Sequence, residues 1–238
     1  MDLTNRHQTE PPDAGPAGKR FRPGSAKKRT QKKTGGKMTA AKPSSPQLIM
    51  FLGPDGAGKS TLLAGVEQAL TRAGKSWRSY YFAPGFLKRY RPKPGQTITE
   101  NPHEGRQYPP VLVFAKIALL LLEFLMGIPR ARRQNRLLLF DRYIFDILVD
   151  PRRYKMGHVR WWMKLMLRLA PRPDLAVMII APAKTIQARK QEVSFAETAR
   201  QIESYKALAA AFPGSLIIEN SGAPEAAVKT IMHRILAA

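Results

Sequence analysis

The sequence predicts an α/β domain in which helices cover both faces of a parallel sheet. Apolar runs of strand length alternate along the chain with longer segments that show helical periodicity, which is typical of parallel sheets. A glycine-rich stretch, residues 53–61, lies between the first apolar run and the first helical segment, as expected for a strand-to-helix turn. Both observations fall within residues 47–238, which we predict to be one domain.

A basic tail is predicted to precede this domain. Residues 1–46 are rich in Pro, Gly, Lys, Arg and Ser and contain almost no large apolar side chain, so they cannot bury enough surface to fold. We therefore predict that they are disordered, and we favour a solvated tail over one that contacts nucleic acid or membrane. No apolar stretch follows the charges, which argues against a secretory signal. Met38 is an alternative start, with which residues 1–37 would not belong to the protein.

The formal net charge of +23 indicates which partners the protein favours. A strongly basic chain attracts polyanions such as nucleotides, nucleic acid or anionic lipid surfaces. The tail does not account for the whole excess, since residues 47–238 carry 29 Lys and Arg against 14 Asp and Glu. The chain has no cysteine, which excludes disulfides and thiolate metal sites and suits the cytoplasm, the location that we expect.

The individual elements follow from apolar periodicity and from turn residues. Strands are predicted at residues 47–52, 77–82, 137–140, 175–180 and 216–219. Helices are predicted at residues 60–73, 111–128, 159–169, 196–211 and 225–236, with a further helix that begins at Lys184. Residues 83–110 are rich in Pro, Gly and Lys, and a connection of this length is usually functional or disordered.

The first strand-to-helix turn matches a phosphate-binding pattern. It fits G-x-x-x-x-G-K-[ST] at every required position, with Gly53, Pro54, Asp55, Gly56, Ala57, Gly58, Lys59, Ser60 and Thr61. Glycines allow a tight turn whose backbone N–H groups point at one anion, and the following helix adds its positive end. Lys59 is expected to reach the β- and γ-phosphates of a nucleoside triphosphate, and the Ser60 hydroxyl to ligate Mg²⁺.

An acidic residue is predicted to share this metal. Residues 137–140 form a short apolar strand that ends at Asp141, and Arg142 and Tyr143 follow. An acid at the carboxyl end of a strand is the usual setting for a second Mg²⁺-associated carboxylate in phosphate-loop proteins. We therefore predict that Asp141 holds Mg²⁺, directly or through water.

Two helical segments each allow more than one interpretation of what they contact. Residues 111–128 are strongly apolar, but Lys116 and Glu123 interrupt them on one helix face, and the uninterrupted run is too short to cross a bilayer. A helix in the core or at a dimer interface is the expectation, and a lipid contact is the alternative. In residues 159–169 the basic side chains line one face, which predicts a solvated surface or, alternatively, one that rests on anionic lipid: Arg160, Lys164 and Arg168.

These motifs resemble those of the thymidylate kinases, over roughly residues 47–238. Residues 51–61 look like the family's phosphate loop, Asp141-Arg142-Tyr143 like its second motif, and Pro173-Asp174-Leu175 like the opening of its fourth strand, while residues 188–192 lie where its lid falls. Asp146 and Asp150-Pro151-Arg152-Arg153 are similar to a pattern in thymidylate kinase-like proteins of polysaccharide gene clusters. The resemblance implies a three-layer P-loop NTPase fold with a five-stranded parallel sheet, and ATP-dependent phosphorylation of a nucleoside monophosphate.

The resemblance also implies roles for individual side chains. Asp55 would contact the sugar of the acceptor, and Arg142 would direct two donors at the acceptor's phosphate. Arg189 and Lys190 would close over the transferring phosphoryl group. The turn at residues 220–224 would touch adenine. The catalytic set predicted in this way is Lys59, Asp55, Asp141, Arg142, Arg189 and Lys190.

The residues that would bind the acceptor differ from those that are usual in the family. Leu52 and Asp146 stand where thymidylate kinases usually carry Glu and Ser, and the Tyr-Gln pair expected after the second motif is missing. The acceptor is therefore predicted more broadly, as a nucleotide or a related phosphorylated small molecule.

The sequence is compatible with three functions. The first is a kinase that uses ATP and Mg²⁺ and acts on a small phosphorylated acceptor. The second is a peripheral membrane kinase for a lipid-linked or saccharide acceptor. The third is a non-catalytic NTP-binding regulator. A homodimer and contact with an anionic membrane both stay open, and nucleic acid is not expected as a partner.

Overall fold

A five-stranded, all-parallel sheet forms the centre of the computed structural model, with strand order β2-β3-β1-β4-β5. The structure describes residues 47–87, 106–134, 137–191 and 193–237, so the predicted tail and most of the predicted long loop lie outside the described residues. The strands are β1 Leu48–Leu52, β2 Trp77–Tyr81, β3 Leu137–Asp141, β4 Leu175–Ile180 and β5 Leu216–Glu219. The helices are α1 Lys59–Arg72, α2 Pro110–Arg132, α3 Trp161–Leu167, α4 Ala183–Arg189, α5 Phe195–Ala209 and α6 Pro224–Leu236.

Burial of the strands follows their position in the sheet. β1 and β4 lie at the centre and are apolar and buried along their whole length, as expected for strands covered on both faces. The edge strands β2 and β5 are partly exposed and carry polar residues. Leu48 to Phe51 pair in parallel with Leu138 to Asp141, which brings the carboxyl ends of β1 and β3 side by side. The predicted α/β class and the five-stranded parallel sheet are confirmed.

The helices of the described residues divide between the two faces. The chain moves from β1 towards one edge and from β2 onwards towards the other. Right-handed crossovers, the rule for parallel strands, therefore put α1 on one face and α2 to α5 on the other. The packing agrees, since α1 contacts α6, α2 contacts α3, and α4 contacts α5. This arrangement is consistent with three layers.

The helix α2 is longer than the sequence predicts. It was expected at residues 111–128, but it continues through Pro129 and takes in basic residues at its last turn. Arg130 and Arg132 favour this extension because cations stabilise the negative end of a helix. α3 is shorter than the predicted 159–169. The bounds of β4 and β5 match their predictions, and the remaining element bounds differ by no more than two residues.

The two polar interruptions of α2 both point into the protein. Lys116 Nζ donates to the carbonyl of Tyr154 at 2.8 Å and lies over the ring of Tyr108. Glu123 is fully buried, and its two carboxylate oxygens accept from the backbone N–H groups of Phe86 and Leu87, both at 2.5 Å. Polar partners inside the protein therefore satisfy both charges, and apolar side chains are left on the outward side.

Among the described residues one helix, α2, is long and apolar enough to cross a membrane by length and composition, with a mean hydropathy of 2.4. The sequence-based prediction concerned the uninterrupted apolar run, and the helix reaches this length only with Lys116 and Glu123 included. Within the 18-residue window 44% of the residues are buried inside the protein, so the helix also forms part of the core.

Candidate functional site

The loop between β1 and α1 is held by the ends of two other strands. Gly53 has φ +152°, and a Cβ there would overlap the carbonyl oxygen of Ile179 in β4. Gly58 has φ +90°, and a Cβ there would overlap the Asn220 side chain, which follows β5. Asn220 Nδ2 in turn donates to the carbonyl of Ala57 at 2.8 Å. Only glycine combines these backbone angles with such close neighbours, so the predicted motif glycines have a structural reason.

Lys59 lies at the first position of α1 and folds back over the loop. Its Nζ donates to the carbonyls of Gly53 at 2.9 Å and Pro54 at 2.8 Å, and it pairs with Asp55 Oδ1 at 3.2 Å. The residue is only 6% exposed. The ammonium therefore lies buried at the base of the loop, against two of its backbone carbonyls.

A cleft of about 550 Å³ opens above this loop, at the carboxyl ends of the strands. All six predicted catalytic residues border it: Asp55, Lys59, Asp141, Arg142, Arg189 and Lys190. Ser60 and Thr61 of the motif border it as well, together with Gly56 and Gly58. Gly53, Pro54 and Ala57 are not among the residues that line this cleft. Side chains predicted from three separate stretches of sequence thus meet in one place.

Asp141 ends β3 and carries an unsatisfied oxygen. Its Oδ1 is buried and has no hydrogen-bond partner among the described residues. Burial raises the pKa of this carboxyl, while the nearby charges of Lys59 and Arg142 act in the opposite direction. A buried carboxylate oxygen without a donor is suited to a cation, and such an oxygen lies where the sequence predicts Mg²⁺.

The donor set of the site fits Mg²⁺ better than a metal held by protein alone. The described residues contain no group of three His, Cys, Asp or Glu side chains that could hold a metal ion. Mg²⁺ rarely needs one, because it usually binds through one or two carboxylates, several waters and the phosphates of a nucleotide. Asp141 and the Ser60 hydroxyl both border the cleft and could supply the protein's share.

Asp55, in the loop between β1 and α1, forms ion pairs with three cations. Its Oδ1 accepts from Arg142 and from Lys59, and its Oδ2 pairs with Arg153. Arg153 also lies 3.6 Å from Asp150 through its Nε. The carboxylate that the resemblance assigns to the acceptor's sugar is thus engaged by side chains of its own protein. It fixes two guanidinium groups at the edge of the cleft.

A buried network holds Arg142 from the other side. Arg142 Nη1 donates to Asp146 Oδ2 at 2.6 Å, and the Asp146 carboxylate also accepts from Tyr154 at 2.7 Å and Tyr205 at 2.6 Å. Asp146 has no exposed surface. Burial is the largest single influence and acts to lower the pKa of the Arg142 guanidinium, but the Asp146 charge and smaller contributions from Tyr154 and Tyr205 together outweigh it, so the pKa is raised well above its usual value. Arg142 is therefore a permanent cation in a fixed position.

The partners of the Arg142 guanidinium differ from those that the sequence-based prediction gives it. The resemblance implies that its two Nη groups bind an acceptor phosphate, whereas in the structure they bind Asp55 and Asp146. The physical reason is that the buried Asp146 and the partly buried Asp55 both lie within reach of the guanidinium, and a buried charge needs a partner. The backbone of Arg142 has φ +69°, an unusual angle for a non-glycine residue, and its N–H donates to the carbonyl of Phe51 at 3.0 Å.

Three site residues had no role in the sequence-based prediction. Arg153 was visible in the sequence as the end of the Asp150-Pro151-Arg152-Arg153 pattern, but nothing local indicated that it would face Asp55. Tyr154 follows it directly. Tyr205 lies in the middle of α5, 59 residues from Asp146, and no sequence signal distinguishes it from other aromatic core residues.

The remaining cations reach the cleft from the end of α4. Arg189 is the last residue of that helix, and Lys190 follows it. The helix is tied to the start of α5, because Gln187 Nε2 donates to the carbonyl of Val193 at 2.8 Å and to Thr198 Oγ1 at 2.7 Å. Both cations lie where the lid was predicted, and both border the same cleft as Asp141.

No protein-family model matches this chain, and a search of curated proteins found no match either. The resemblance to thymidylate kinases therefore stays a prediction that rests on the motifs quoted above.

Proposed function

We propose that this chain is an ATP- and Mg²⁺-dependent phosphotransferase that passes the γ-phosphoryl group of ATP to a nucleotide or a related phosphorylated small molecule. The observation that supports it most is the cleft in which Lys59, Asp141 and several arginines meet above a glycine-rich loop. Phosphoryl transfer needs positioning and charge neutralisation more than covalent chemistry, and these are what such a cleft can provide. The P-loop NTPase fold is part of the same proposal.

The donor half of the site would hold the triphosphate of ATP. The backbone N–H groups of residues 53–58, Lys59 and the positive end of the 14-residue helix α1 together favour an anion at this position. Ser60 and Asp141 would hold Mg²⁺, which when bound neutralises charge on the β- and γ-phosphates. The loop after β5 borders the cleft through Asn220, Gly222 and Pro224, in keeping with the proposed contact to adenine.

The acceptor half would recognise a phosphate through fixed arginines. Arg142 and Arg153 are held at the edge of the cleft by Asp55, and both border it. Both guanidinium groups are already paired, Arg142 with Asp55 and Asp146 and Arg153 with Asp55 and Asp150, so we assign to both the role of fixed charges beside the acceptor's phosphate. Lys190 borders the same cleft and adds a further cation. These cations favour an acceptor that carries a negative charge over a neutral one.

The transfer step would proceed in line. An oxygen of the acceptor attacks the γ-phosphorus, the bond from that phosphorus to the β,γ-bridging oxygen breaks, and ADP leaves with that electron pair. A phosphate oxygen of the acceptor is already ionised, so no proton has to be removed by the protein. Arg189 lies beside the cleft and would balance the negative charge that spreads over the equatorial oxygens.

An acceptor screen with ATP and Mg²⁺ tests this proposal, with thymidylate, other nucleoside monophosphates and sugar phosphates as acceptors. Lys59→Ala is expected to lower the turnover of the active pair by on the order of 10²-fold or more, as for other lost charge-stabilising donors. Lys75→Ala removes an exposed lysine beyond the end of α1 and is the matched control. Near-wild-type transfer by Lys59→Ala would contradict the assignment. ATP binding without transfer to any acceptor would instead support the non-catalytic regulator.

A further inference from the structure

We propose that the outward sides of α2 and α3 form one surface that docks on an anionic lipid bilayer. We call it the α2/α3 surface and define it by the exposed apolar residues Val111, Phe114, Leu122, Leu125, Trp161 and Leu165. None of these residues borders the cleft described above. The inference goes beyond the proposed function and does not depend on it.

The outward side of α2 is apolar along most of its length. Val111 is 78% exposed, and Phe114, Leu122 and Leu125 are each about half exposed. Residues 111, 114, 122 and 125 are separated by three, eight and three positions, so they share one side of the helix. Single exposed apolar residues are ordinary on proteins, but a row of large ones along a whole helix marks an interaction site.

α3 repeats this pattern in a short helix. Met163 and Leu167 are fully buried against the core, so the opposite side must face outward. That side carries Trp161, which is 77% exposed, and Leu165, which is 55% exposed. In a helix that faces water these positions would be polar. Leu169, in the turn that follows, continues the row and is exposed as well.

The two helices present a continuous patch. α3 packs against α2, and the rings of Phe114 and Trp162 meet with their centroids 5.8 Å apart. Trp162 is half buried beneath this contact, whereas its neighbour Trp161 projects outward. The amino-terminal half of α2 and the whole of α3 therefore share one side of the molecule.

Basic residues on α3 identify the partner. Lys164 and Arg168 are exposed and lie one helical turn apart, next to the row formed by Trp161 and Leu165. Arg160 is partly exposed at the start of the same helix. Cations beside Trp and Leu are the composition of helices that lie in the interface of anionic membranes. A second copy of this basic chain would bring like charges together, so charge complementarity favours anionic lipid over a homodimer.

The arrangement of α2 favours a helix that lies on the bilayer over one that crosses it. Phe124 packs edge-on against Tyr143 with ring centroids 4.6 Å apart, and Glu123 is bonded to the backbone after β2. A membrane span would have to pull these groups out of the core and would expose the Glu123 carboxylate to hydrocarbon. Only the outward side of the helix is available to lipid.

Flotation of the full chain with vesicles tests the proposal. Wild-type protein is expected to float with vesicles of phosphatidylcholine mixed with phosphatidylglycerol, and much less with phosphatidylcholine alone. Trp161→Ala with Leu165→Ala should lower the partition onto the mixed vesicles by roughly 10-fold or more, because two large apolar side chains no longer enter the interface. Lys164→Gln and Arg168→Gln should each lower it by roughly 5-fold, the usual effect of one basic residue near such a surface.

Matched controls separate the α2/α3 surface from other exposed apolar and basic side chains. Phe195→Ala removes an equally exposed apolar residue on α5, and Lys229→Gln removes an exposed lysine on α6. Both are expected to bind vesicles as the wild type does. A second measurement follows tryptophan fluorescence with brominated lipid, which should quench the wild type more strongly than Trp161→Phe.

Three outcomes would overturn the proposal. One is unchanged flotation of Trp161→Ala with Leu165→Ala, which would assign the binding to another part of the chain. Another is absence of wild-type binding to the mixed vesicles. The third is a wild-type dimer, seen by sedimentation, that the same double variant dissociates while no vesicle binding occurs. In that case the α2/α3 surface is the interface between two copies.

Discussion

Arg142 and Asp146 form a buried ion pair, with Nη1 and Oδ2 2.6 Å apart, at the wall of the cleft. The two residues are four positions apart in sequence, and the pair is completed by the hydroxyl groups of Tyr154, which is nearby in sequence, and Tyr205, which is 59 residues away. Such a pair gives Arg142 one position and one charge state. It therefore links the stability of the core to the geometry of the site.

Removal of one partner from this pair should be strongly destabilising. We expect Asp146→Ala to lower the free energy of unfolding by about 3–5 kcal/mol, because it removes one of the two carboxylates that compensate the buried Arg142 charge and the acceptor of two buried tyrosine hydroxyls. Urea denaturation followed by circular dichroism measures the change. Glu203→Ala, which breaks an exposed pair with Lys206, is the control and should cost less than about 1 kcal/mol. A loss for Asp146→Ala as small as that of the control would contradict the prediction.

The hydroxyl of Tyr205 should stabilise the fold in a pH-dependent way. Burial, and then the Asp146 carboxylate, raise the pKa of Tyr205 well above its ordinary value of 10.0. The hydroxyl stays neutral in the folded protein at pH values where it ionises in the unfolded chain. Its contribution is therefore complete below pH 10.0 and declines as the pH rises above that value.

We expect Tyr205→Phe to lower the free energy of unfolding by about 1.5–3 kcal/mol at pH 7, since a hydrogen bond to a buried charge is lost. The difference between wild type and variant should shrink above pH 10. Urea denaturation at both pH values measures it. Tyr108→Phe, at an exposed tyrosine, should change stability by no more than about 0.5 kcal/mol. A stability difference between wild type and Tyr205→Phe that grows above pH 10 would contradict the predicted direction of the pH dependence.

The loop glycine at position 58 should be required for nucleotide binding. Gly58→Ala adds a Cβ where Asn220 Nδ2 lies and strains a backbone with φ +90°. We expect binding of ATP, measured by calorimetry, to weaken by roughly 5-fold or more, since overpacking of this size costs about 1–3 kcal/mol. Gly74→Ala is a close control, because φ is +64° there and no atom lies within 4 Å of the added Cβ. Equal ATP affinity in the two variants would remove the loop from the binding site.

Asp141 should couple nucleotide binding to Mg²⁺. Wild-type protein is expected to gain more thermal stability from ATP with Mg²⁺ than from ATP with a chelator, because a ligand that binds only the folded state stabilises it. Asp141→Asn, which keeps the size of the side chain but removes its charge, should lose most of this extra gain. Thermal shift measurements with both ligand mixtures test it. An unchanged response to Mg²⁺ in Asp141→Asn would place the metal elsewhere.

Glu123 should hold the segment that follows β2. Both of its carboxylate oxygens accept backbone N–H bonds, whereas the amide of Glu123→Gln would turn a donor towards one of them. We expect a loss of stability of about 1–3 kcal/mol. The amides of Phe86 and Leu87 should also exchange with deuterium faster, as followed by mass spectrometry. Glu203→Gln, at an exposed glutamate of α5, should leave both quantities unchanged, and protection of Phe86 and Leu87 in Glu123→Gln would refute the role.

Local patterns were sufficient for much of the fold. The bounds of β4 and β5 were predicted to the residue, because continuous apolar runs bounded by turn residues depend only on neighbours in sequence. The set of residues that border the cleft was also largely predicted. Parallel strands deliver their carboxyl ends to one edge of a sheet, so residues that follow different strands meet there.

The partners of these residues could not be predicted in the same way. Arg142 was expected to face an acceptor, but it binds Asp55, which lies 87 residues away in the chain. Glu123 was expected to interrupt an apolar surface, but it bonds to backbone groups more than 30 residues earlier. Both outcomes depend on which groups the folded backbone brings within hydrogen-bond distance.

The sequence by itself therefore determined the α/β class, the glycine-rich loop and the identity of the charged residues at the strand ends. These are properties of single segments, set by periodicity and by the conformational range of glycine. Only the tertiary structure decided how the charges pair, that Asp141 keeps an unsatisfied oxygen, and which side of α2 faces outward. Ion pairs and burial are properties of distances between segments, because a buried charge takes the nearest partner that the fold provides.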